Sequence, residues 1–304
     1  MANFVVARLL QSIVVLFVIS VMAFALVLLS GDPVTMMMPI HASDADRQVL
    51  RHELGLDQPV PVQYALFVGH ALTGDFGQSI KFNQAVLPLI ASKLPLTLIL
   101  ATASILLAIV IGVPLGVATG VREGSTLDTL STILALLTIS LPSFWIALML
   151  ILLLGDGLRI LPVGGSGGPQ YLIMPTLALS AHSIGLVTRL TRAGVAEQMH
   201  QLYVTTARSK GLTERAIQLR HVLRNASGPT VTMIALQFGA LIGGSVIVET
   251  IFAWPGAGWL LMEGVTARDL PLVRALVLVI GSIFIGLNLL VDLGYRYLDP
   301  RIRY

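Results

Sequence analysis

Long apolar runs separated by polar stretches set the plan of this chain. Six are long enough to cross the roughly 30 Å hydrocarbon layer of a bilayer as helices. They run from about Leu9 to Leu29, Leu94 to Val121, Leu127 to Leu154, Tyr171 to Leu190, Thr230 to Phe252 and Leu272 to Leu293. None alternates as a half-buried strand does, and a segment in lipid must satisfy its own backbone hydrogen bonds, so each predicts an α-helix. The expectation is an all-α integral membrane protein with six transmembrane helices. Arg8 and Ala23-Phe24-Ala25 resemble parts of a cleavable signal, but the run continues to Leu29 and is read as a retained span.

Charge placement orients these spans. With the N-terminus inside, Arg8, Arg122, Arg189, Arg192, the cations of the stretch between the fourth and fifth spans, and Arg296, Arg301 and Arg303 are cytoplasmic. Arg47, Arg51, Lys81 and Lys93 fall in one long outer loop, and Arg159, Arg268 and Arg274 in shorter ones. Short cytoplasmic loops carry the excess of Lys and Arg, so both termini are expected inside. Residues 1–30 then form the first span with its cytoplasmic N-terminus, residues 31–93 an extracytoplasmic helical insertion, and residues 94–304 a five-helix core.

Within the insertion, Ser43 to Leu54 has helical apolar spacing with Asp44 and Asp46 at its start, where acids favour the helix dipole. Gln63 to Leu72 reads as a second amphipathic helix, and Gly69, Gly74 and Gly77 mark turns around Asp75 and Phe76. The segment offers too little apolar surface for a core of its own and is expected to pack over the outer mouth of the bundle.

Composition agrees with a lipid-solvated protein: 55% of residues are hydrophobic and only 12% charged. Mean hydropathy is +0.86. There are no cysteines, which excludes disulfides, iron–sulfur clusters and thiolate zinc sites. The formal charge of +3 follows the two sides of the membrane rather than one basic face, unlike that of a nucleic-acid binder.

Polar and small residues inside the spans are the next candidates. Gly112, Gly116 and Gly120 repeat every fourth residue, as do Gly239 and Gly243 beside Ala240 and Gly244, and such stripes let another helix approach closely. Pro114 predicts a kink in the second span, and Pro142, between Ser140, Ser143 and Trp145, predicts one in the third. His182 is read as a hydrogen-bonded interior residue, because no second ligand stands at metal spacing. Asn288 and Asp292 are read as polar glue. Gln237 and Glu249 are the candidate pathway residues, Glu249 either meeting a cationic group or reaching water. Pro255-Gly256 is a turn signal, and Phe252, Trp254 and Trp259 fit an aromatic belt.

The densest positive charge lies in Leu202 to Ala226, with Arg208, Lys210, Arg215, Arg220 and Arg224. Gly211 suits the left-handed turn that closes one helix, and Thr213 suits the cap of the next. On that next helix Ala216, Leu219 and Leu223 recur at helical spacing. A basic amphipathic helix pair is expected at the membrane surface, where it could simply lie on headgroups.

The residues T-T-A-R-S-K-G-L followed by H-V-L-R-N-A resemble the coupling-loop signature of ATP-binding cassette importer permeases, in the form carried by dipeptide permease subunits. Thr205-Thr206-Ala207 stands where the general motif has Glu-Ala-Ala, and Leu223-Arg224 where it has Leu-Pro. Further matches are G-D-P at Gly31 to Pro33, G-L-D-Q-P at Gly55 to Pro59, G-D-F-G at Gly74 to Gly77, E-T-I-F-A-W-P-G-A-G-W at Glu249 to Trp259, and the tail L-D-P-R-I-R-Y at Leu298 to Tyr304. Together they cover nearly the whole chain.

The resemblance implies a type I importer permease fold in a bacterial inner membrane and a substrate of the dipeptide, oligopeptide, glutathione or nickel group, dipeptides or short oligopeptides first. It also implies a second, similar permease, two cytoplasmic ATPases that hold ATP and Mg, and an extracytoplasmic solute-binding protein. Thr206, Ala207, Arg208, Lys210, Gly211, Leu212 and Arg215 become the candidate ATPase-coupling residues. The chain itself has no G-x-x-x-x-G-K-[ST] phosphate loop, so it is not expected to hydrolyse ATP or to bind a cofactor. Two rivals fit less well. An ion-coupled secondary transporter usually carries ionisable groups at mid-membrane, and an intramembrane enzyme would need a convincing nucleophile–base or metal constellation. H-E-x-x-H does not occur, and the one literal fit to G-x-S-x-G, Gly164-Gly165-Ser166-Gly167-Gly168, lies in a turn-rich outer loop rather than on a strand-to-helix elbow.

Overall fold

The structure, a computed structural model, describes residues 2–30, 34, 43–53 and 56–298. The G-D-P triplet at 31–33, the glycine that opens the motif at 55–59, the side chain of Asp292 and the tail after Leu298 lie outside the described residues. The described chain is helical apart from turns and one isolated bridge between Gln78 and Ala85. In order the elements are α1 Ala2–Ser30, α2 Asp44–Glu53, α3 Val60–Leu72, α4 Val86–Val121, α5 Thr126–Ser140 and α6 Ser143–Leu150, which continues as a π-helical turn Ile151–Gly157. Then come α7 Gln170–Met199, α8 Leu202–Ser209, α9 Glu214–Ile251 with a π-helical stretch at Ile217–Val222, α10 Ala257–Thr266 and α11 Leu270–Leu298.

Five of the six predicted spans are single helices, Val5–Ala25, Val86–Val121, Gln170–Met199, Glu214–Ile251 and Leu270–Val291. The sixth is broken. Thr126–Ser140 and Ser143–Gly157 meet at 101°, a far sharper bend than the expected kink. Leu141 is extended, with φ −81° and ψ 129°, as a residue before proline prefers, and Pro142 starts the second half by accepting from the Trp145 and Ile146 N–H groups.

The chain divides into two compact units, Met1–Pro95 with Gly256–Leu293, and Leu96–Pro255 with Gly294–Tyr304. In the first, Ser43 opens α2 by accepting from the Asp46 N–H, and α3 packs on α1 through Phe24, Tyr64 and Phe67, with Tyr64 Oη 2.7 Å from Ser20 Oγ. The start of α4 buries Val86 and Ile90 against Ala257 and Leu260 of α10 and Leu272, Ala275 and Leu276 of α11. Asp269 is fully buried at the head of α11. It accepts from the Ser79 hydroxyl, the Lys81 N–H at 3.0 Å and the Leu272 N–H at 3.2 Å, while Lys81 Nζ pairs with Glu263.

In the second unit α7 is the hub. The expected close approach along Gly112, Gly116 and Gly120 is made to this helix, since a β-carbon there would stand 2.9 Å from Val187, 2.6 Å from Thr191 and 2.7 Å from the Arg192 carbonyl. Gly185 admits α5 and Gly194 admits the start of α9 in the same way. Buried Ser180, Ser183, Thr188 and Thr191 complete a face of small and hydroxyl side chains, the usual way for helices to meet where lipid removes any hydrophobic drive between them. Gly243 and Gly244 differ: both are exposed with open space beyond, whereas Gly239 of the same stripe is buried.

Several sequence readings change. Phe252 and Trp254 are buried rather than belted at an interface: the Phe252 carbonyl accepts from the Gly165 N–H at 2.8 Å, and Trp254 Nε1 donates to the Leu96 carbonyl at 3.1 Å. His182 is exposed on α7, because the face of that helix carrying Ser180, Ser183 and Val187 has taken the interior. Asn288 donates to the Phe284 carbonyl of its own helix, not to a neighbour.

Candidate functional site

The stretch Leu202 to Ala226 is built around one left-handed residue. Gly211 has φ +75°, its N–H donates to the Arg208 carbonyl at 2.9 Å, and the Leu212 N–H reaches back to the Ala207 carbonyl at 3.3 Å. This is the double closure of a Schellman turn, which satisfies the last carbonyls of α8. Thr213 then caps α9 by accepting from the Ala216 N–H at 3.3 Å, so glycine and threonine act as their types predict.

Across the turn Arg208 Nε and Nη2 lie 2.7 and 3.2 Å from the two oxygens of Glu214. That carboxylate holds the guanidinium above its already high range, and the pair straps the two helices together.

One side of the pair faces inward. Val204, Ala207, Ile217, Val222 and Ala226 are buried together with Val195, against Val117, Val121, Met199 and Tyr203. The expected stripe of Ala216, Leu219 and Leu223 is not the one used: Leu219 is exposed, and Ile217 and Val222 are buried instead. Their separation by five residues fits the π-helical stretch at Ile217–Val222, whose wider turn brings i and i+5 onto one face. The second helix does not end at the membrane surface, for α9 runs from Glu214 through the span to Ile251.

Of the candidate coupling residues, Thr206, Arg208, Lys210, Gly211, Leu212 and Arg215 are exposed on the other side. Ala207 is buried, so its part is to seat α8. Among the described residues neither Lys210 nor Arg215 has an acidic partner, whereas Arg208 is engaged by Glu214. Of the three candidate coupling cations, Lys210 and Arg215 are therefore the two left without an acidic partner among the described residues.

The candidate pathway residues lie elsewhere in this unit. Gln237 Nε2 donates to Ser183 Oγ at 3.2 Å, joining α9 to α7. Glu249 is fully buried, not in water, and its Oε1 accepts from Thr97 at 2.7 Å and Ser245 at 2.9 Å. Among the described residues no group of three or more His, Asp or Glu could hold a metal ion.

A charged cluster beside the loop was missed in the sequence. Asp128, in the first turn of α5, is buried and receives Arg192 Nε and Nη2 of α7 at 2.8 Å each, with the Gly124 N–H at 3.0 Å. Arg192 also lies 3.5 Å from Glu123, and His200 Nε2 at the end of α7 lies 3.3 Å from the same carboxylate. An Arg and an Asp 64 positions apart carry no local signal of pairing.

With this geometry in view, comparison with known families and proteins is specific. Residues 112–304 match the family "Binding-protein-dependent transport system inner membrane component", and residues 1–101 match its N-terminal companion, "Binding-prot-dependent transport system membrane comp, N-term". The chain is 40% identical over 308 residues to the glutathione transport system permease protein GsiC of Salmonella typhimurium, with all of both chains covered. It is equally similar, over the same full length, to GsiC of Escherichia coli strain K12.

Proposed function

The chain belongs to the family of binding-protein-dependent transport system inner membrane components, as a multi-pass permease of the peptide, nickel and glutathione group of ATP-binding cassette importers; from that premise we propose that it forms half of a translocation pathway for glutathione or peptides of similar size. The full-length similarity to glutathione permeases supports this substrate ahead of the dipeptides suggested by motifs alone. Its partners are a second permease, two cytoplasmic ATPases carrying ATP and Mg, and an extracytoplasmic binding protein. The chain itself is non-catalytic, with both termini and Leu202–Ala226 on the cytoplasmic side.

The observation that carries the coupling role is the two-sided build of α8 and the Gly211 turn. Its inner face is fastened by Val204, Ile217 and Val222, and its outer face presents Thr206, Lys210, Leu212 and Arg215. A headgroup-resting helix would bury an apolar face in lipid, but here that face is already taken by the protein. ATP-driven closure of the ATPases moves the turn, and α7 and α9, which flank it, tilt with it. Nucleotide shifts this equilibrium because it binds the closed ATPase pair more tightly than the open one. Gln237 and Glu249 lie on the moving helix α9 and are proposed to help shape the route.

Reconstitution with the cognate ATPases, second permease and binding protein tests the reading. ATP-dependent uptake of radiolabelled glutathione, outcompeted by unlabelled glutathione, is expected. Preferred uptake of a dipeptide would move the substrate assignment to the dipeptide reading. Uptake by this chain alone, driven by an ion gradient without ATP, would overturn the function.

A further inference from the structure

The cluster around Asp128 has more structure than an isolated ion pair needs. Two acids, Glu123 and Asp128, bracket the turn between α4 and α5, and the Gly124 N–H and Ser125 cap orient Asp128 within it. Two bases from the last turns of α7 face them. Arg192 grips Asp128 with both arms of its fork and reaches Glu123, and His200 meets Glu123.

His200 is two residues from the start of α8, and Arg192 is three residues before Val195, which packs under α8. The inner end of α4 is tied to the same place, since Gly120 lies against the Arg192 carbonyl and Val117 and Val121 line the seat of α8. The α4–α5 turn and α8 are thus both anchored on the last two turns of α7, one by charge and the other by packing.

We propose that Glu123, Asp128, Arg192 and His200 form a transmission clamp: it makes the α4–α5 turn move as one body with α8, so that a stroke received at the Gly211 turn is delivered to α5 and to its bent continuation α6 as well as to α7 and α9. The proposal rests on the reading of Leu202–Ala226 as the ATPase-docking loop. It assigns positioning roles, since none of the four residues touches substrate or nucleotide. A bidentate Arg–carboxylate pair suits this task because it fixes orientation as well as distance. Its buried acid resists solvent exchange in a way the exposed Arg208–Glu214 pair does not.

The test uses the complete transporter in lipid nanodiscs. The chain lacks cysteine, so Thr126→Cys and Thr205→Cys place spin labels at the head of α5 and on α8 without background from this chain, and the partner subunits are used in cysteine-free form. The inter-label distance is expected to stay constant between the nucleotide-free and ATP-trapped states in the otherwise native chain. It is expected to vary between them after Arg192→Met or Asp128→Asn. In the same variants glutathione uptake should fall about 5- to 150-fold, the range of a typical coupling free energy, while unstimulated ATP hydrolysis by the assembled complex persists. The exposed double variant Glu123→Gln/His200→Gln, which leaves the Asp128–Arg192 pair in place, should show a smaller loss of the same kind.

Wild-type uptake in Arg192→Met, or a distance that already changes in the native chain, overturns the proposal. So does loss of assembly in all three variants, which would make the cluster a folding element only. A native complex whose α8 shows no nucleotide-dependent change at all would instead sink the docking-loop reading beneath it.

Discussion

Two glycine stripes that look alike in sequence should behave oppositely when substituted. At Gly116 a β-carbon would stand 2.6 Å from Thr191 Cβ and 2.7 Å from the Thr188 carbonyl, whereas at Gly243 nothing lies within 4 Å. Carbon atoms rest at about 3.5–4.0 Å, so Gly116→Ala must push α4 and α7 apart by roughly 1 Å. Neither obstructing atom can swing away, because one is backbone and the other is fixed to it. Overpacking of this kind costs about 1–3 kcal/mol, against a gain of about 1 kcal/mol from replacing glycine inside a helix. Gly116→Ala is therefore destabilising by up to about 2 kcal/mol, and Gly243→Ala is neutral or stabilising by up to about 1 kcal/mol. At about 2–4 °C per kcal/mol the two apparent melting midpoints should differ by roughly 5 °C. The assay is thermal unfolding of the purified chain in nanodiscs, followed by intrinsic tryptophan fluorescence. Equal midpoints, or Gly243→Ala melting lower than Gly116→Ala, would refute the assignment of the α4–α7 contact.

Other outcomes follow from the same geometry. Gly211→Ala places a β-carbon at φ +75° in open space, so the cost is backbone strain alone, about 1 kcal/mol; transport should weaken with the fold intact, and unchanged uptake with unchanged ATPase stimulation would argue against the coupling turn. Glu249→Ala leaves Thr97 and Ser245 facing a cavity and should cost about 1–3 kcal/mol in unfolding experiments, whereas a variant as stable as the native chain would mean these hydrogen bonds contribute nothing. Just beyond α2, Asp57 holds the imidazole of His52 in that helix above its usual range and is itself held below the usual carboxylate range. The contribution of the pair is thus full between the two ordinary values, fades as pH rises through the elevated histidine value, and fades again as pH falls through the depressed carboxylate value. Amide exchange in Asp44–Glu53, corrected for the intrinsic rate, should quicken at high pH in the native chain but not in His52→Asn; identical behaviour in both would remove the pair from consideration.

What the sequence determined by itself was local. An apolar run in lipid has to close its hydrogen bonds within itself, so five spans and the halves of the sixth were legible as helices, and Gly211, Thr213 and Gly77 announced their turns and caps through their own backbone preferences. Which face of each helix meets which neighbour depends on contacts far along the chain, and there sequence periodicity misled. It chose Leu219 over Ile217 and Val222 because a π-helical stretch changes the register, it turned His182 inward, and it treated Gly243 as the equal of Gly116. Tertiary structure alone decided the 101° break at Pro142 and the meeting of Asp128 with Arg192. The reason is physical: a proline permits a bend without setting its angle, and a charge pairs with whatever the packing of two helices brings within reach.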